Sequence, residues 1–574
     1  MESGTRFGTT PSPDWIPTGT RLAATGVAAV ALLAALWRLG RARAGVDFFA
    51  DDAYYYIVIA RNLADTGRAT FDGVTRTNGF HPLLLWLEAA GFRTFGTSAP
   101  PLATYLAISA ALAVIFVLAC LAPLLAALRG RGTPANRVLL AVSIMVFGLL
   151  VLPRFMAIFL GGMESILVLP LLLVTGWFAW RARYLLAGVF GALLTLARLD
   201  TLPYLLAPLA LVILWRERRA RRPAIRAGLQ LLGPSVIGVA LFSLANLHDF
   251  GHPLPISGSL KSTFPRIHLQ LRNFFGNCEE RLGLRTSVLG ALFGLGLLAR
   301  RRNLPDDLRG LGLTAAGLAL IQALALALFQ RWSKGTPNWY LAEMLPLGAT
   351  ALGLGLANVL SVRRLEQLAG GAAAGALAVN LAWFAGKAGL LGIPVAPSLP
   401  LNTAASGPLE ATFRFIDSRP RSAVWASSDC GKFAFWSGRR FVNLDGLVND
   451  FAYQDRLRDR QLRPYLSEMA VRYLVFGAWT PVAPGATADV EPVYRYRVAP
   501  AVYDGTYQAQ DYYLYSYRWS AYSDSMALPR TAEIWRSTGF VDGPFFVKLV
   551  VFDLSRVGPN PVPGAGAGGA VQEH

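Results

Sequence analysis

The chain of 574 residues is 54% hydrophobic and carries a formal net charge of +19. Soluble globular domains are closer to about 45–50% apolar, and here the apolar residues are concentrated in long blocks before residue 393. A bilayer crossing needs about 20 such residues, so this distribution excludes an ordinary soluble protein. The three cysteines have neither the number of a disulfide framework nor the spacing of a metal site.

Basic residues lie in short loops between the apolar blocks, where they typically anchor the cytoplasmic ends of helices. This arrangement accounts for the positive charge and argues against nucleic-acid binding. The five most basic loops contain Arg129, Arg131 and Arg137; Arg181 and Arg183; Arg216, Arg218, Arg219, Arg221, Arg222 and Arg226; Arg300, Arg301 and Arg302; and Arg363 and Arg364. With all five in the cytoplasm, a return helix is required between each neighbouring pair.

The predicted fold is therefore an all-α polytopic membrane domain of about eleven transmembrane helices, followed by a C-terminal α+β extracytoplasmic domain. The predicted spans are 20–38, 102–128, 138–157, 165–180, 184–198, 201–215, 227–247, 286–299, 310–330, 341–360 and 369–392. The first block also resembles a signal peptide, because Ala42-Arg43-Ala44 has a small-x-small pattern. We favour an uncleaved helix, since little positive charge precedes the block.

The most informative stretch follows the first span and reads Asp51-Asp52-Ala53-Tyr54-Tyr55-Tyr56. Two adjacent carboxylates at a membrane surface repel each other, so a cation or a basic partner should share their site. The tyrosines suit a membrane interface or the face of a sugar. A solvated loop with an aromatic belt is the alternative interpretation of the same residues.

Two further segments complete this first external loop. Thr77-Asn78-Gly79-Phe80-His81-Pro82 comes after a stretch of helical spacing that contains Arg61. The apolar segment His81–Phe95 is short and is interrupted by Glu88 and Arg93, so we predict a helix that lies on the outer surface.

With this plan, the sequence resembles the polytopic glycosyltransferases of the C superfamily. Protein O-mannosyltransferases, lipid A aminoarabinose transferases and actinobacterial arabinofuranosyltransferases share the acidic first loop, the helices and the external C-terminal domain. The resemblance implies a hexosyl- or pentosyltransferase that takes a sugar from a polyprenyl-phosphate donor and passes it to a glycan, lipid or protein of the cell envelope. It also implies a multi-pass protein of the plasma membrane.

Displacement at an anomeric carbon needs a base for the acceptor hydroxyl and stabilisation of the departing phosphate. Asp51 and Asp52 are the candidate bases, and the family pattern leaves open which of them acts. The same carboxylates could bind a divalent cation, Mg²⁺ or Mn²⁺. No other cofactor is expected, because the sequence has no nucleotide-binding glycine motif.

Positive charge for the phosphate must come from the same side of the membrane. The candidates are Arg198, Lys261, Arg331 and Lys334. Arg198 could instead form a structural pair with Asp200, and Lys261 could be an ordinary loop lysine. The residues that could contact the substrate are Tyr54, Tyr55, Asn78, His81, Glu164, Asp200, Trp339 and Tyr340. Structural explanations remain open for several of these: Glu164 would favour a helix start in any case, and His81 precedes a helix-starting proline.

The chain becomes polar and aromatic after Pro394. Alternating runs at Val471–Phe476 and Phe545–Phe552 predict strands, and Thr412–Ser418 predicts a short helix. The predicted domains are 1–392 in the membrane with the catalytic first loop, 393–557 outside the cytoplasm, and a disordered tail at 558–574. Cys278 and Cys430 would share the external side and could form a disulfide.

Two other functions fit a polytopic membrane protein. A transporter of a lipid or sugar often has repeated halves and ionisable residues at the membrane midplane. In this sequence, the polar motifs cluster at one face and no internal repeat is evident. A non-catalytic glycan-binding membrane protein would use the external domain alone.

The topology predicts that a cysteine at position 406 is labelled from outside the cell and one at position 133 only from inside. The measurement is labelling of Ser406→Cys and Thr133→Cys in intact cells with a membrane-impermeant thiol reagent, with the native cysteines replaced by serine. Protection of the cysteine at 406 in intact cells would overturn the predicted orientation.

Overall fold

The structure is a computed structural model. It describes residues 49–97, 107–116, 118, 133–267, 269, 281–300, 304–329, 338–387, 403–458, 461–481, 495–498, 524–527, 532–537, 540–542 and 545–556.

Among the described residues before 388, the regular structure is helical apart from isolated bridges. Its helices are Asp51–Thr66, Pro82–Phe95, Ala107–Phe116, Pro134–Leu150, Pro153–Phe159, Ser165–Trp180, Tyr184–Ala197, Ala207–Arg219, Ala224–Phe250, Ile256–Lys261, Arg281–Ala299, Asp306–Phe329, Met344–Val359 and Val362–Lys387, with a π-helical turn at Leu202–Leu206 and a 3₁₀ turn at Asn338–Leu341. A helix therefore lies at each predicted span that the structure describes, with ends shifted by several residues.

Four described helices are long and apolar enough to cross a membrane: Ala224–Phe250, Arg281–Ala299, Asp306–Phe329 and Trp339–Val359. Pro134–Leu150 and Pro153–Phe159 would add a fifth crossing if the pair, bent by 86°, is one span. The predicted span 20–38 and much of 102–128 lie outside the described residues. The count of eleven spans stays a prediction.

The helix Asp51–Thr66, called the acidic helix below, starts with its two carboxylates in the first turn, where they face the positive end of the helix dipole. It ends at Gly67, which has a φ of 74° and closes the last turn by donating its N–H to Leu63. Its middle is buried from Ala53 to Ala60, so the acidic pair begins a core helix. The helix Pro82–Phe95 buries Glu88 and leaves Trp86 exposed; its placement on the outer surface stays a prediction.

The C-terminal part contains both helices and strands, as the alternating patterns predict. Its strands are β1 (Val424–Ser427), β2 (Phe441–Asn443), β3 (Val471–Pro481), β4 (Arg495–Val498), β5 (Asp524–Ala527), β6 (Glu533–Arg536), β7 (Phe540–Asp542) and β8 (Phe545–Asp553). The helices are Thr403–Asp417, Gly431–Ser437, Phe451–Arg458 and Leu462–Glu468, with a 3₁₀ turn at Leu554–Arg556. The helix predicted at Thr412–Ser418 is longer than predicted, and so are both predicted strands.

Six strands form one mixed sheet in the order β2-β1-β3-β8-β6, with β7 also paired to β8. β1 pairs in parallel with β2 and with β3, whereas β3 and β8 are antiparallel. The residues after β1 and β2 therefore emerge at the same edge of the sheet. Those two loops contact the acidic helix and Thr77.

Close backbone contact joins the two parts of the chain at Gly79 and Gly431. A methyl group on Gly79 would overlap the backbone carbonyl of Leu447, and one on Gly431 would overlap the backbone carbonyl of Asp51. The Thr77 hydroxyl donates to the carbonyl of Asn449 at 2.9 Å beside the first of these contacts. Glycine is required at both positions for steric reasons, because any side chain would push the packed segments apart.

We expect Gly79→Ala to destabilise this packing by about 1–3 kcal/mol, the usual cost of overfilling a close contact. The control is Gly176→Ala, because a methyl group at Gly176 meets nothing within 4 Å and the residue lies inside a helix. Thermal unfolding of the detergent-purified variants at one scan rate measures the difference. An equal midpoint for the two variants would contradict the packing described here.

Candidate functional site

The two adjacent carboxylates of the acidic pair bind different partners. Both oxygens of Asp51 accept backbone hydrogen bonds, from Gly431 N–H and Lys432 N–H at 2.9 Å each. Asp52 instead places Oδ2 3.0 Å from the Nζ of Lys261. The predicted basic partner of the acidic pair is therefore Lys261 for Asp52, whereas Asp51 is held by main-chain amides.

These environments affect the protonation of Asp51. Burial raises its pKa to about 6, and the neighbouring Asp52 adds to the rise, although the Lys432 side chain and the two amide hydrogen bonds oppose it. Neighbouring carboxylates with different hydrogen-bond and ion-pair partners often take different roles in one reaction.

Lys261 remains a cation in its partly buried position. Burial lowers its pKa, but Asp52 and other nearby anionic groups more than offset this, so the pKa is raised overall. Its position depends on Asn78, whose side chain accepts from Ile256 N–H at 3.0 Å and donates to the carbonyl of Leu254 at 3.4 Å. Asn78 is thus buried beneath the short helix Ile256–Lys261 and positions the lysine.

Arg198 lies at the centre of a buried ionic network. Its guanidinium donates to Asp200 through Nε (3.1 Å) and Nη2 (3.4 Å), and through Nη1 to Glu343 (3.3 Å) and the carbonyl of Trp339 (2.9 Å). It also lies over the ring of Tyr340, 4.4 Å from the centroid. The predicted Arg198–Asp200 pair is present, and four of the five N–H groups of Arg198 are engaged.

Glu343 and Gln322 complete this network and were not among the predicted site residues. Glu343 is fully buried and accepts from the Gln322 side chain at 2.9 Å. The sequence did carry a signal for them, because both are polar residues within predicted apolar spans, where such residues are costly unless paired.

His81 and Glu164 form a second pair in the same region. The Nδ1 of His81 accepts from Leu199 N–H at 3.5 Å, so the neutral ring carries its hydrogen on Nε2, which lies 3.9 Å from Glu164. Burial lowers the pKa of His81, and this outweighs the opposing effect of Glu164 and Asp200. Glu164 is itself buried, and its charge acts on His81, Lys261 and Arg198.

Tyr54 and Tyr55, predicted as substrate contacts, lie between the acidic helix and the C-terminal part of the chain. Tyr54 is buried against Phe435, with ring centroids 5.3 Å apart. Tyr55 is buried among residues that follow the strands β1 and β2, where its hydroxyl donates to Asp445 at 2.7 Å. Side chains enclosed in this way pack the two parts of the chain together, and a substrate contact for either tyrosine stays a prediction.

The remaining predicted residues are only partly covered by the structure. Trp339 and Tyr340 contact Arg198, the first through its carbonyl and the second through its ring. Arg331, Lys334 and Cys278 lie outside the described residues. Cys430 is buried as a free thiol.

The predicted divalent cation has no evident set of ligands. In the described ranges, no group of three or more His, Cys, Asp or Glu side chains could hold a metal ion. Asp51 and Asp52 direct their carboxylates to separate partners. The cation stays a prediction.

Comparison with known proteins gives a distant likeness in structure alone. No protein-family model matches the chain, and no curated protein matches its sequence. It is similar to ArnT from Cupriavidus metallidurans bound to undecaprenyl phosphate, with 14% identity, a TM-score of 0.45, and coverage of 80% of this chain and 95% of ArnT. For the apo state, the identity is 14%, the TM-score 0.44, and the coverage 74% and 87%.

Proposed function

We propose that the chain is a membrane glycosyltransferase that moves a sugar from a polyprenyl phosphate to a hydroxyl group of a cell-envelope acceptor. The observation that carries this proposal is that the two acidic residues have different partners. Asp51 is hydrogen-bonded to backbone amides and has a raised pKa, whereas Asp52 is paired with Lys261, which could bind a phosphate. A base beside a cation is what acceptor activation and phosphate departure require.

We assign the base to Asp51. A general base works best when its pKa lies near the operating pH, and the pKa of about 6 satisfies this better than that of an ordinary carboxylate. In the proposed step, Asp51 takes the proton of the acceptor hydroxyl as that oxygen bonds to the anomeric carbon. The bond from this carbon to the phosphate oxygen breaks, and its electron pair leaves with the polyprenyl phosphate.

Lys261 is the candidate for direct contact with the phosphate. Its side chain is 15% exposed, whereas that of Arg198 is 1% exposed and already engaged by Asp200 and Glu343. Arg198 therefore contributes to phosphate binding mainly through its positive charge and through its one remaining N–H group. Glu164 and His81, on the same side, are candidates for hydrogen bonds with the sugar hydroxyls.

The charge balance of the site calls for an additional cation. Among the described residues, the cluster contains three basic residues, Arg198, Lys261 and Lys432, and five acidic ones, Asp51, Asp52, Glu164, Asp200 and Glu343. A phosphate would add further negative charge, which is unfavourable in a partly buried site. The two sources to test are a divalent cation and the predicted residues Arg331 and Lys334.

We expect Asp51→Asn to lower kcat by about 10²–10⁴-fold, because it removes the base and keeps its size. Asp52→Asn should mainly raise the donor KM, because Lys261 loses the partner that positions it. The wild-type kcat/KM should fall as the pH falls through about 6, since Asp51 must be ionised to act. Steady-state kinetics from pH 4.5 to 8 test all three expectations.

The opposite assignment has a distinct outcome in the same kinetics. Loss of turnover in Asp52→Asn, with Asp51→Asn active, would exchange the two roles. Near-wild-type activity in both variants would exclude the acidic pair from catalysis.

Arg198→Lys should still impair transfer, although the charge is kept, because lysine cannot replace the fork that binds Asp200 and Glu343. Lys261→Arg should be milder than Lys261→Ala, because it retains a cation for the phosphate. The measurement is kcat and KM for short-chain donor analogues, with thermal midpoints as a control for folding. Unchanged constants in both Arg198→Ala and Lys261→Ala would exclude these residues from phosphate recognition.

The donor sugar and the extra cation can be identified together. Purified protein is incubated with a panel of polyprenyl-phosphate sugars, and the transferred residue is detected by mass spectrometry. EDTA should abolish transfer, and Mg²⁺ or Mn²⁺ should restore it, if a divalent cation supplies the missing charge. Insensitivity to EDTA, with loss of transfer in Arg331→Ala or Lys334→Ala, would assign that charge to the protein.

A further inference from the structure

Three consecutive backbone amides, those of residues 430–432, donate to side chains of the acidic helix, and the amide before them donates to Asp445. Asp429 N–H donates to Asp445 at 3.2 Å, and Cys430 N–H donates to the hydroxyl of Tyr55 at 3.1 Å. The next two amides, of Gly431 and Lys432, donate to the two oxygens of Asp51. We call residues 429–432 the amide segment.

The hydroxyl of Tyr55 organises the residues around this segment. It donates to Asp445 at 2.7 Å and accepts from both Cys430 N–H and the Asn443 side chain, the latter at 2.9 Å. Asp445 in turn accepts from Leu447 N–H at 2.9 Å through its other oxygen. Tyr55 therefore connects the acidic helix with the loop after β1 and with the loop after β2.

Helical spacing explains why Tyr55 and Asp51 contact the same segment. Residues four apart lie on one face of a helix, so both side chains point towards the sheet edge. Gly431 allows the close approach, because a side chain there would meet the main chain of the acidic helix. Asp52, the residue after Asp51, lies on a different face of the acidic helix and pairs with Lys261.

We propose that Tyr55 and Asp445 are positioning residues, which hold the amide segment so that its last two N–H groups fix the carboxylate of Asp51. This inference rests on the proposed function, in which Asp51 is the base. A carboxylate has about four lone-pair sites, and the two amides occupy two of them. The others can then meet the acceptor hydroxyl in one fixed orientation. The C-terminal part of the chain thereby completes the active site.

The electrostatic surroundings of Asp51 make this arrangement measurable. The charged and titratable groups around Asp51 are Lys432, Asp52, Tyr55 and Cys430, and the carboxylates of Asp429 and Asp445 act on the last two. The two amide hydrogen bonds lower the pKa of Asp51 against the effect of burial. If the amides move away, the pKa of Asp51 rises, and the acid limb of the pH–rate profile moves to higher pH.

The test uses Tyr55→Phe and Asp445→Asn, with Tyr184→Phe as the matched control. Tyr184 is also a buried tyrosine whose hydroxyl binds charged groups, Glu217 and Arg216. It begins the helix Tyr184–Ala197 and is therefore about 20 Å from the other end, where Arg198 lies. The control loses a comparable hydrogen bond without touching the amide segment.

In Tyr55→Phe and Asp445→Asn, we expect faster hydrogen exchange of residues 429–432 in the full-length protein. With a short-chain polyprenyl-phosphate sugar that the wild type uses, kcat should fall about 10–100-fold, with a donor KM close to wild type. The acid limb should move above pH 6. In Tyr184→Phe, exchange of this segment and the acid limb should match the wild type.

Two results would overturn the proposal. One is an acid limb and a kcat in Tyr55→Phe and Asp445→Asn that match Tyr184→Phe. The other is unchanged exchange of the amide segment in both variants. If either occurs while Asp51→Asn is inactive, the positioning role alone fails; if Asp51→Asn is active, the assignment of the base fails instead. Should Tyr55→Phe not fold, Asp445→Asn decides the matter by the same readouts.

Discussion

The contact between the acidic helix and the amide segment is the interaction on which the rest of the site depends. A carboxylate buried at a helix start is costly unless hydrogen bonds compensate for the water it loses. Here the compensation comes from Gly431 and Lys432, about 380 residues away in the sequence. The burial of Asp51 is therefore compensated only by contact between the acidic helix and the C-terminal part of the chain.

A second constraint is the buried charge of Arg198. An unpaired guanidinium in an apolar environment would cost several kcal/mol, so Asp200 and Glu343 are needed to balance it. The same network fixes the main chain at Trp339 and the ring of Tyr340. Removal of one member would leave the others uncompensated, and for this reason activity and folding have to be measured together in variants of this network.

The location of the site at helix ends suits a substrate with two very different parts. The proposed donor has an apolar tail that dissolves in the bilayer and a charged phosphate that does not. A cluster of ionisable groups beside helices long enough to span a membrane can meet both parts at once. The excess of carboxylates in the described cluster makes the source of positive charge the central chemical question.

The sequence by itself determined the positions of the helices, the strands near 471 and 545, and the candidate status of Asp51, Asp52, Arg198 and Lys261. These features follow from local properties: apolar block length, alternation, and charged residues beside apolar blocks. The sequence also suggested that the acidic pair needs a basic partner, because adjacent carboxylates repel.

Only the tertiary structure decided which partner each carboxylate takes. The pairing of Asp52 with Lys261 and of Asp51 with the amide segment joins residues hundreds of positions apart. Local sequence patterns do not predict contacts over such separations. The same holds for Tyr55: its aromatic ring suggested a sugar contact, but its hydroxyl is buried against Asp445. The same holds for Glu343 and Gln322. The sequence shows that each is a polar residue in an apolar helix, but its partner depends on how the helices pack.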